Sequence, residues 1–437
     1  MLVGHHALDD AIAAETARGS LGRLSPRDRA HARAIVATTL RRLGQIDAVL
    51  ARFLAKGLPE HRGRLREILR TAAAQLLFMG APAHAVVSIA VTQAKADHEA
   101  RRYEKLANAV LRKVAVEGPA IVAAHDLASD AGRLNTPEWL WRSWTSAYGE
   151  DVARRIAAAH MIEAPLDISV KSDPDRWARE LHAAVLPTGT LRRRLEGRIE
   201  ELAGYDEGGW WVQDCAAALP VRLFGDVRGK RILDLCAAPG GKTAQLAAAG
   251  ARVTAVDSSG PRLARLAANL ARLGLDAEMI EADAGSWILP SGAPPFDAVL
   301  LDAPCTATGT IRRHPDIPHL KRADDIAKLA ALQDTLLRHA AKLVREGGML
   351  VYCTCSLQPE EGPERIAALL GADPAMRLSP IAAPDVAGIG DWITPEGHLR
   401  TLPFQPVSPA PPLLGADEAS AIGLDGFFAA RLVRVAP

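Results

Sequence analysis

The sequence predicts an α/β chain in three parts: an all-helical bundle, a small α+β connector, and a final domain built on a doubly wound, mostly parallel sheet. Three observations carry this reading. From residue 231 onward, short apolar runs alternate regularly with helical patterns, as strands do when crossover helices join them in one sheet. Residues 1–125 show the helical period alone. The stretch between them changes character repeatedly. At 437 residues the chain exceeds one ordinary core, and 49% hydrophobic against 24% charged residues suits compact domains rather than disorder.

Taking the chain in order, a helix opens at Ser25-Pro26, a capping residue followed by proline at the first helical position. Ala32, Ile35, Val36, Leu40 and Leu43 fall on one of its faces, and Gly44 is expected to stop it. A second helix carries Leu65, Ile68, Leu69, Ala72 and Leu76 inside, with Arg62, Arg64, Arg66 and Arg70 outside. Further helical patterns follow at 84–96 and 102–115, so residues 1–128 are expected to form a bundle. The net charge of +1 conceals an asymmetry: residues 1–125 hold 19 Lys/Arg against 11 Asp/Glu, a net of +8, which leaves −7 for the remainder. A basic module suits a polyanion such as nucleic acid, although a solvated arginine-rich helix surface has the same composition.

Residues 129–206 form the predicted connector. Pro137-Glu-Trp-Leu-Trp141 with Trp144 begins a helix, 166–170 alternates like a strand, and 181–185 and 191–202 read as helix. The run Arg192-Arg193-Arg194 reads as a solvated helix turn rather than a phosphate contact, and Trp210 and Trp211 as packing residues.

The final domain, 207–437, opens with Arg231-Ile-Leu-Asp-Leu-Cys-Ala-Ala-Pro-Gly-Gly-Lys-Thr243, a strand entering a Pro-Gly-Gly turn and then a helix. Strands are predicted again at 253–257, 278–283, 296–302 and 349–353, with helices at 261–273 and 324–344. The Pro- and Ala-rich tail from 371 is expected to be largely loop, including 403–412, before a closing segment at 426–432. Asp257, Asp283 and Asp302 each stand at a strand end on the edge where open parallel sheets bind ligands. Asp257 also has the separation from Gly240 that lets an acid accept both ribose hydroxyls, so the ligand is expected to be a nucleoside. Cys at 236, where a phosphate loop needs glycine, disfavours ATP hydrolysis, and a three-glycine dinucleotide fingerprint is absent.

Asp234-Leu-Cys-Ala-Ala-Pro-Gly-Gly-Lys-Thr243 resembles motif I of S-adenosylmethionine-dependent methyltransferases of the Rossmann-like class I fold. The resemblance implies that Asp257 holds the ribose, Asp283 the adenine, and Cys236, Ala237, Ala238, Pro239, Gly240, Gly241 and Lys242 the amino-acid end of the cofactor, with Asp302 at the same site.

Five cysteines, at 215, 236, 305, 353 and 355, are odd in number and confined to the second half, which argues against a disulfide framework and for a reducing cytoplasm. No signal peptide pattern opens the sequence and no membrane-spanning apolar run appears in it. Cys353-Thr-Cys355 has no second pair, so no metal site is expected. Asp302-Ala-Pro-Cys305 and Thr354-Cys355-Ser356 follow neighbouring strands and can bring two thiols into one pocket. Carbon 5 of cytosine is a poor nucleophile, and a thiolate adding to carbon 6 would activate it. That path needs a nucleophile, a group holding N3 and the exocyclic amine, and a release helper. Cys355, Asp302 and Cys305 are candidates, and spacing alone leaves the two thiols exchangeable.

The constellation resembles the RNA cytosine-C5 methyltransferases of the NOL/Sun family, over nearly the full chain and most strongly over 231–360. Ser25-Pro-Arg-Asp-Arg29, Thr39-Leu-Arg-Arg-Leu-Gly44 and Leu106-Ala-Asn-Ala-Val-Leu-Arg112 resemble the NusB-like RNA-binding domain found at the front of certain ribosomal RNA methyltransferases. The resemblance implies Cys355 as nucleophile, Cys305 as release helper, Lys242 and Asp302 at the target base, and small-subunit (16S) ribosomal RNA as substrate of a monomeric enzyme. Transfer RNA as substrate, or a non-catalytic RNA-binding antitermination factor, are the competing readings. Arg312, Arg313, His314, Lys321 and Arg322 are candidates to neutralise flanking phosphates. Three departures from the family pattern are Cys353, expected to face away from the pocket or to pack below it, Cys215 where an acid is usual, and Gly362 where Asn is usual.

Overall fold

A computed structural model describes residues 6–128, 131–194, 197–407 and 423–436. They form two compact units: Met1–Met161 with His314–Arg322, and Ile162–Arg313 with Ala323–Pro437.

The first unit is helical. The predicted bundle is present as Leu8–Arg18, Pro26–Arg41, Leu43–Phe53, Leu65–Phe78, Ala83–Ala96 and Glu104–Leu127, with shorter helices at Ala131–Leu134, Glu138–Tyr148 and Glu150–His160. Its core is aliphatic, with Ile46, Val49, Leu65, Leu69, Leu111 and Val114 fully buried. Ser25 caps the second helix by accepting from the Asp28 N–H at 3.2 Å. Gly44 does not end that helix. The break comes at Arg42, and Gly44 lies inside the next helix, where a Cβ would stand 1.8 Å from the Leu134 carbonyl oxygen. Glycine is needed there for close approach rather than for termination. The segment His314–Arg322 packs into this unit: Asp316 accepts from the Leu8 N–H at 2.8 Å, and His319 Nε2 lies 3.0 Å from the Leu40 carbonyl.

The second unit holds two sheets. The smaller comprises β1 (Leu166–Val170), β2 (Ala184–Val185), β3 (Leu191–Arg193) and β4 (Trp210–Val212), in the antiparallel order β2-β3-β1-β4. Among the described residues, the helices expected at 181–185 and 191–202 are replaced by strands and one 3-10 turn at Ile199–Glu201, and the local α-helix is Pro174–Glu180. Pro187 cannot continue a helix, and Gly189 at φ 81° closes a tight turn that folds β2 against β3. Arg192 is not a solvated residue. It sits opposite Asp167 in the β1–β3 register and donates to it twice, at 2.7 and 2.8 Å, with both side chains buried. Trp210 and Trp211 are core residues, as expected.

The larger sheet comprises β5 (Arg231–Leu235), β6 (Arg252–Asp257), β7 (Glu278–Glu281), β8 (Phe296–Asp302), β9 (Val344–Thr354), β10 (Met376–Leu378), β11 (Leu399–Thr401) and β12 (Phe427–Arg434). Its order is β10-β12-β9-β8-β5-β6-β7, with β11 also paired to β12. The five predicted strands β5 to β9 are parallel, and the closing segment enters as β12, antiparallel to β9. The tail is thus less irregular than its composition suggests, since it supplies β10 and β11; residues 408–412 of the expected loop lie outside the described residues. Alternation along each strand feeds two cores. Ile232, Ala298 and Val351 pack against the helix Cys215–Arg222, whereas Leu233, Val299 and Leu350 pack against the helix Ala323–Leu343. β5 lies between β6 and β8, so winding reverses there and a crevice opens beyond the carboxyl ends of β5 and β8. Among the described residues, no helix is long and apolar enough to cross a membrane.

Removing one partner of a buried, doubly bonded pair leaves an uncompensated charge, at a cost of about 3–5 kcal/mol. Asp167→Ala is therefore expected to lower stability by about that amount in urea unfolding, and a loss below about 1 kcal/mol would contradict this account of the connector core.

Candidate active site

The turn after β5 lies at the crevice. Cys236 (φ 60°) and Gly240 (φ 101°) both adopt left-handed conformations, and the helix Gly241–Ala248 starts at once. A Cβ on Gly240 would stand 2.7 Å from Leu266 Cγ. Asp257, at the end of β6, ties the turn down by accepting from the Ala238 N–H at 3.1 Å and the Ser259 N–H at 3.0 Å. Arg262 lies 3.4 Å from the same carboxylate and donates to the Ala238 carbonyl. A carboxylate has about four acceptor positions, so Asp257 retains capacity for hydroxyl donors. Asp283 does not end a strand: it lies two residues beyond β7, exposed, and accepts from the Gly285 N–H at 2.8 Å. Asp234, on β5, is fully buried; Thr243 donates to its Oδ2 at 2.6 Å while Oδ1 has no partner, and burial pushes its carboxyl up to about 7.

Lys242 Nζ donates to Asp302 Oδ2 at 2.8 Å and lies 4.8 Å from the centre of the Phe427 ring. Burial opposes the ammonium, but Asp302 outweighs it and holds the Lys242 pKa above its ordinary value. Cys353 is fully buried and donates to Asp302 Oδ1 at 3.5 Å, so of its two expected placements it packs against the site rather than facing away from it. Residues 353 and 355 are two apart on an extended chain, hence on one face, and Cys353 is the register neighbour of Asp302. Burial, and then Asp302, raise the Cys353 thiol well above the ordinary range.

The two predicted reactive thiols meet: Cys305 Sγ and Cys355 Sγ are 3.5 Å apart. The hydrogen bond to Cys355, followed by burial, raises the Cys305 thiol well above its usual value. The two sulfurs stand at hydrogen-bonding distance, and either can donate to the other. The strand ends are tied beside them by Ala303 N–H to the Cys353 carbonyl at 3.0 Å and Gly309 N–H to the Cys355 carbonyl at 2.9 Å.

Sequence reasoning missed the polar groups behind these thiols. Glu361, Gln358 and Gln333 are fully buried and bonded to the residues that flank both cysteines. The only sequence signal was Pro359-Glu-Glu361 shortly after the second thiol, with no role attached to it. Two expected phosphate ligands are occupied internally. Arg312 is buried with its Nη1 near the Pro403 and Leu424 carbonyls, at 3.4 and 3.5 Å. Arg313 is paired with Asp214 and, at 3.1 Å, with Asp425. His314 Nδ1 lies 3.8 Å from Asp9 in the helical unit, where Lys321 is half-buried and Arg322 exposed. Cys215 is a core residue whose N–H donates to Asp167 at 3.0 Å, and burial pushes its thiol up to about 12. At Gly362 a Cβ would stand 2.9 Å from Arg400 Nη2 and 3.0 Å from the Phe428 ring.

Comparison with known proteins places this geometry. Residues 223–408 match the family model described as 16S rRNA methyltransferase RsmB/F, and residues 4–116 match the NusB family. The chain is similar to ribosomal RNA small subunit methyltransferase B of Klebsiella pneumoniae subsp. pneumoniae, 33% identical over 94% of this chain and 91% of the relative. It is also similar to the protein of that name from Pseudomonas putida, 34% identical over 100% and 96%. Among solved structures, PH0851 shares the fold with a TM-score of 0.74 at 23% identity, covering 99% of each chain. NSun6 from Pyrococcus horikoshii, solved with SFG, shares it with a TM-score of 0.55 at 20% identity, covering 69% of this chain and 99% of that one.

The buried acid on β5 makes stability depend on pH. Its carboxyl ionises near 3.9 when unfolded and near 7 when folded, so the folded form binds the proton more tightly and its contribution is full below about 4 and lost as pH rises through about 7. Relative to Asp234→Asn, the unaltered protein is expected to lose thermal stability between about pH 4 and 7, and parallel Tm–pH curves for the two would refute this.

Proposed function

The chain belongs to the 16S rRNA methyltransferase RsmB/F family, and from that premise we propose that it methylates carbon 5 of a cytosine in small-subunit ribosomal RNA through a covalent cysteine–cytosine adduct. The observation that carries this reading is the pair of thiols 3.5 Å apart beside the Lys242–Asp302 ion pair. A methyltransferase acting on a nucleophilic oxygen or amine has no use for two such thiols, whereas carbon 5 of cytosine must be activated before it can react.

The cofactor is S-adenosylmethionine, and the residues present suit it. A turn with two left-handed residues lets backbone groups approach the amino-acid end closely, and Asp257 and Asp283 supply acids for the ribose and adenine. When bound, it supplies an electrophilic sulfonium methyl. Lys242, held charged by Asp302, gives the crevice one fixed cation. Asp302 accepts from the exocyclic amine while the Lys242 ammonium donates to N3, which orients the ring over the thiols. The Cys355 thiol gives its proton to water as its sulfur adds to carbon 6, so that carbon 5 gains enamine character. Once carbon 5 carries its new methyl it gives its own proton to water, the carbon 5–carbon 6 double bond reforms and the sulfur–carbon bond breaks. Cys305 donates its proton to the departing sulfur and takes another from water. Unstacking of the target base is required before any of this, and the basic helical part, residues 1–128, is assigned to binding RNA, with 129–206 as connector and 207–437 as the catalytic domain. Its NusB match supports ribosomal over transfer RNA.

Incubation of small-subunit ribosomal RNA and transfer RNA with methyl-labelled cofactor tests the proposal. Cys355→Ala is expected to abolish transfer, and Cys305→Ala to accumulate protein covalently joined to RNA on a denaturing gel. Full activity in Cys355→Ala would refute the assignment, and labelling of transfer RNA alone would refute the substrate.

A further inference from the structure

Both thiol-bearing loops are gripped by one carboxylate that the reaction does not consume. Glu361 lies in the 3-10 turn Pro359–Glu361 and is fully buried. Its Oε1 accepts from the Thr306 N–H at 2.9 Å and from Gln333 Nε2 at 3.1 Å. Its Oε2 accepts from Ser356 Oγ at 2.5 Å and from the Thr306 hydroxyl. Thr306 follows Cys305 directly, and Ser356 follows Cys355. Glu361 is itself anchored, because its carbonyl accepts from the Tyr352 hydroxyl at 2.9 Å and from Thr354 Oγ1 at 3.1 Å, both on β9. Gln333, on the helix Ala323–Leu343, extends the tie by donating to the Pro304 carbonyl at 2.8 Å.

A buried carboxylate is costly unless its oxygens are satisfied, and four donors converge on this one. The two loops they come from carry the reacting sulfurs, so any displacement of the carboxylate is passed to the sulfur–sulfur separation. We propose that Glu361 is a positioning residue for methyl transfer, binding Thr306 and Ser356 together so that Cys305 and Cys355 are held in reach of one carbon–carbon bond of the base. The proposal rests on the reading of those cysteines as release helper and nucleophile. A misplacement of about 1 Å at reacting groups costs on the order of 100-fold in rate.

The test uses the full chain and two readouts. Dibromobimane, which bridges thiols lying close together, reports the Cys305–Cys355 spacing without RNA or cofactor, and peptide mass mapping separates that bridge from one involving Cys353. Glu361→Ala is expected to slow bridging about tenfold and to lower kcat on the order of 100-fold, with KM for S-adenosylmethionine within about twofold. Glu361→Gln keeps the volume and one acceptor oxygen and is expected to recover part of both losses. Ser356→Ala leaves the carboxylate in place and removes its bond to the Cys355 loop, together with the contacts of Ser356 Oγ with Gln358 and the Thr306 hydroxyl; it is expected to lower kcat about tenfold, which decides the matter should Glu361→Ala not fold. Unaltered bridging and kcat in both Ser356→Ala and Glu361→Gln would overturn the proposal. So would a loss in Glu361→Ala that falls equally on cofactor affinity and is not relieved in Glu361→Gln. An active Cys355→Ala would sink the reading of the cysteines, while the bridging rates would still decide whether Glu361 sets their spacing.

Discussion

The Lys242–Asp302 ion pair is the interaction on which the crevice depends, because it joins the helix that follows β5 to the end of β8 at the point where the sheet reverses its winding. Lysine has a 10% and aspartate a 34% exposed side chain, so neither charge is fully hydrated and each relies on the other. The pair sits between the two halves of the site. On one side is the turn 236–240 with Asp257; on the other are Cys353 on Asp302 and the Cys305–Cys355 contact beyond it. Losing either partner would leave an uncompensated, partly buried charge between the turn and the thiols.

The same need to satisfy buried charge explains where the arginines go. A protein with an excess of basic residues in its front part was expected to use exposed arginines near the Cys305 loop on RNA. Arg312 and Arg313 instead spend their donors on carbonyls of 403 and 424 and on Asp214 and Asp425, and Arg192 spends its own on Asp167. These contacts join residues 25 to 112 positions apart in sequence, all within the second unit. Charge runs in a sequence report how many charges exist, not which of them face water.

The thiols show the complementary point. Three cysteines lie at or just beyond the ends of the neighbouring strands β8 and β9, and their surroundings differ. Cys353 is buried against an aspartate, Cys305 is held as a thiol by its neighbour, and Cys355 closes the group. The proposed reaction calls for one sulfur that attacks and one that gives a proton back, and two sulfurs stand 3.5 Å apart here.

The sequence by itself determined the fold class and most of the proposed site. The alternation of strand and helix patterns from 231, the Pro-Gly-Gly turn, and the acids and thiols at strand ends are local signals, set by dihedral limits and by the two-residue period of strands. They sufficed to locate Lys242, Asp257, Asp302, Cys305 and Cys355. Only the tertiary structure decided the rest. Strands at 184–185 and 191–193 stand where helices were expected over 181–185 and 191–202, because the partner of Arg192, Asp167, arrives from another strand, and Gly44 lies inside a helix rather than ending one because the Leu134 carbonyl that crowds it comes from far along the chain. Glu361, whose carboxylate spans two loops separated by about fifty residues, carries no local sign of that role. Local periodicity encodes which element a residue belongs to, whereas the partner of a buried polar group is chosen by chain segments that meet only after folding.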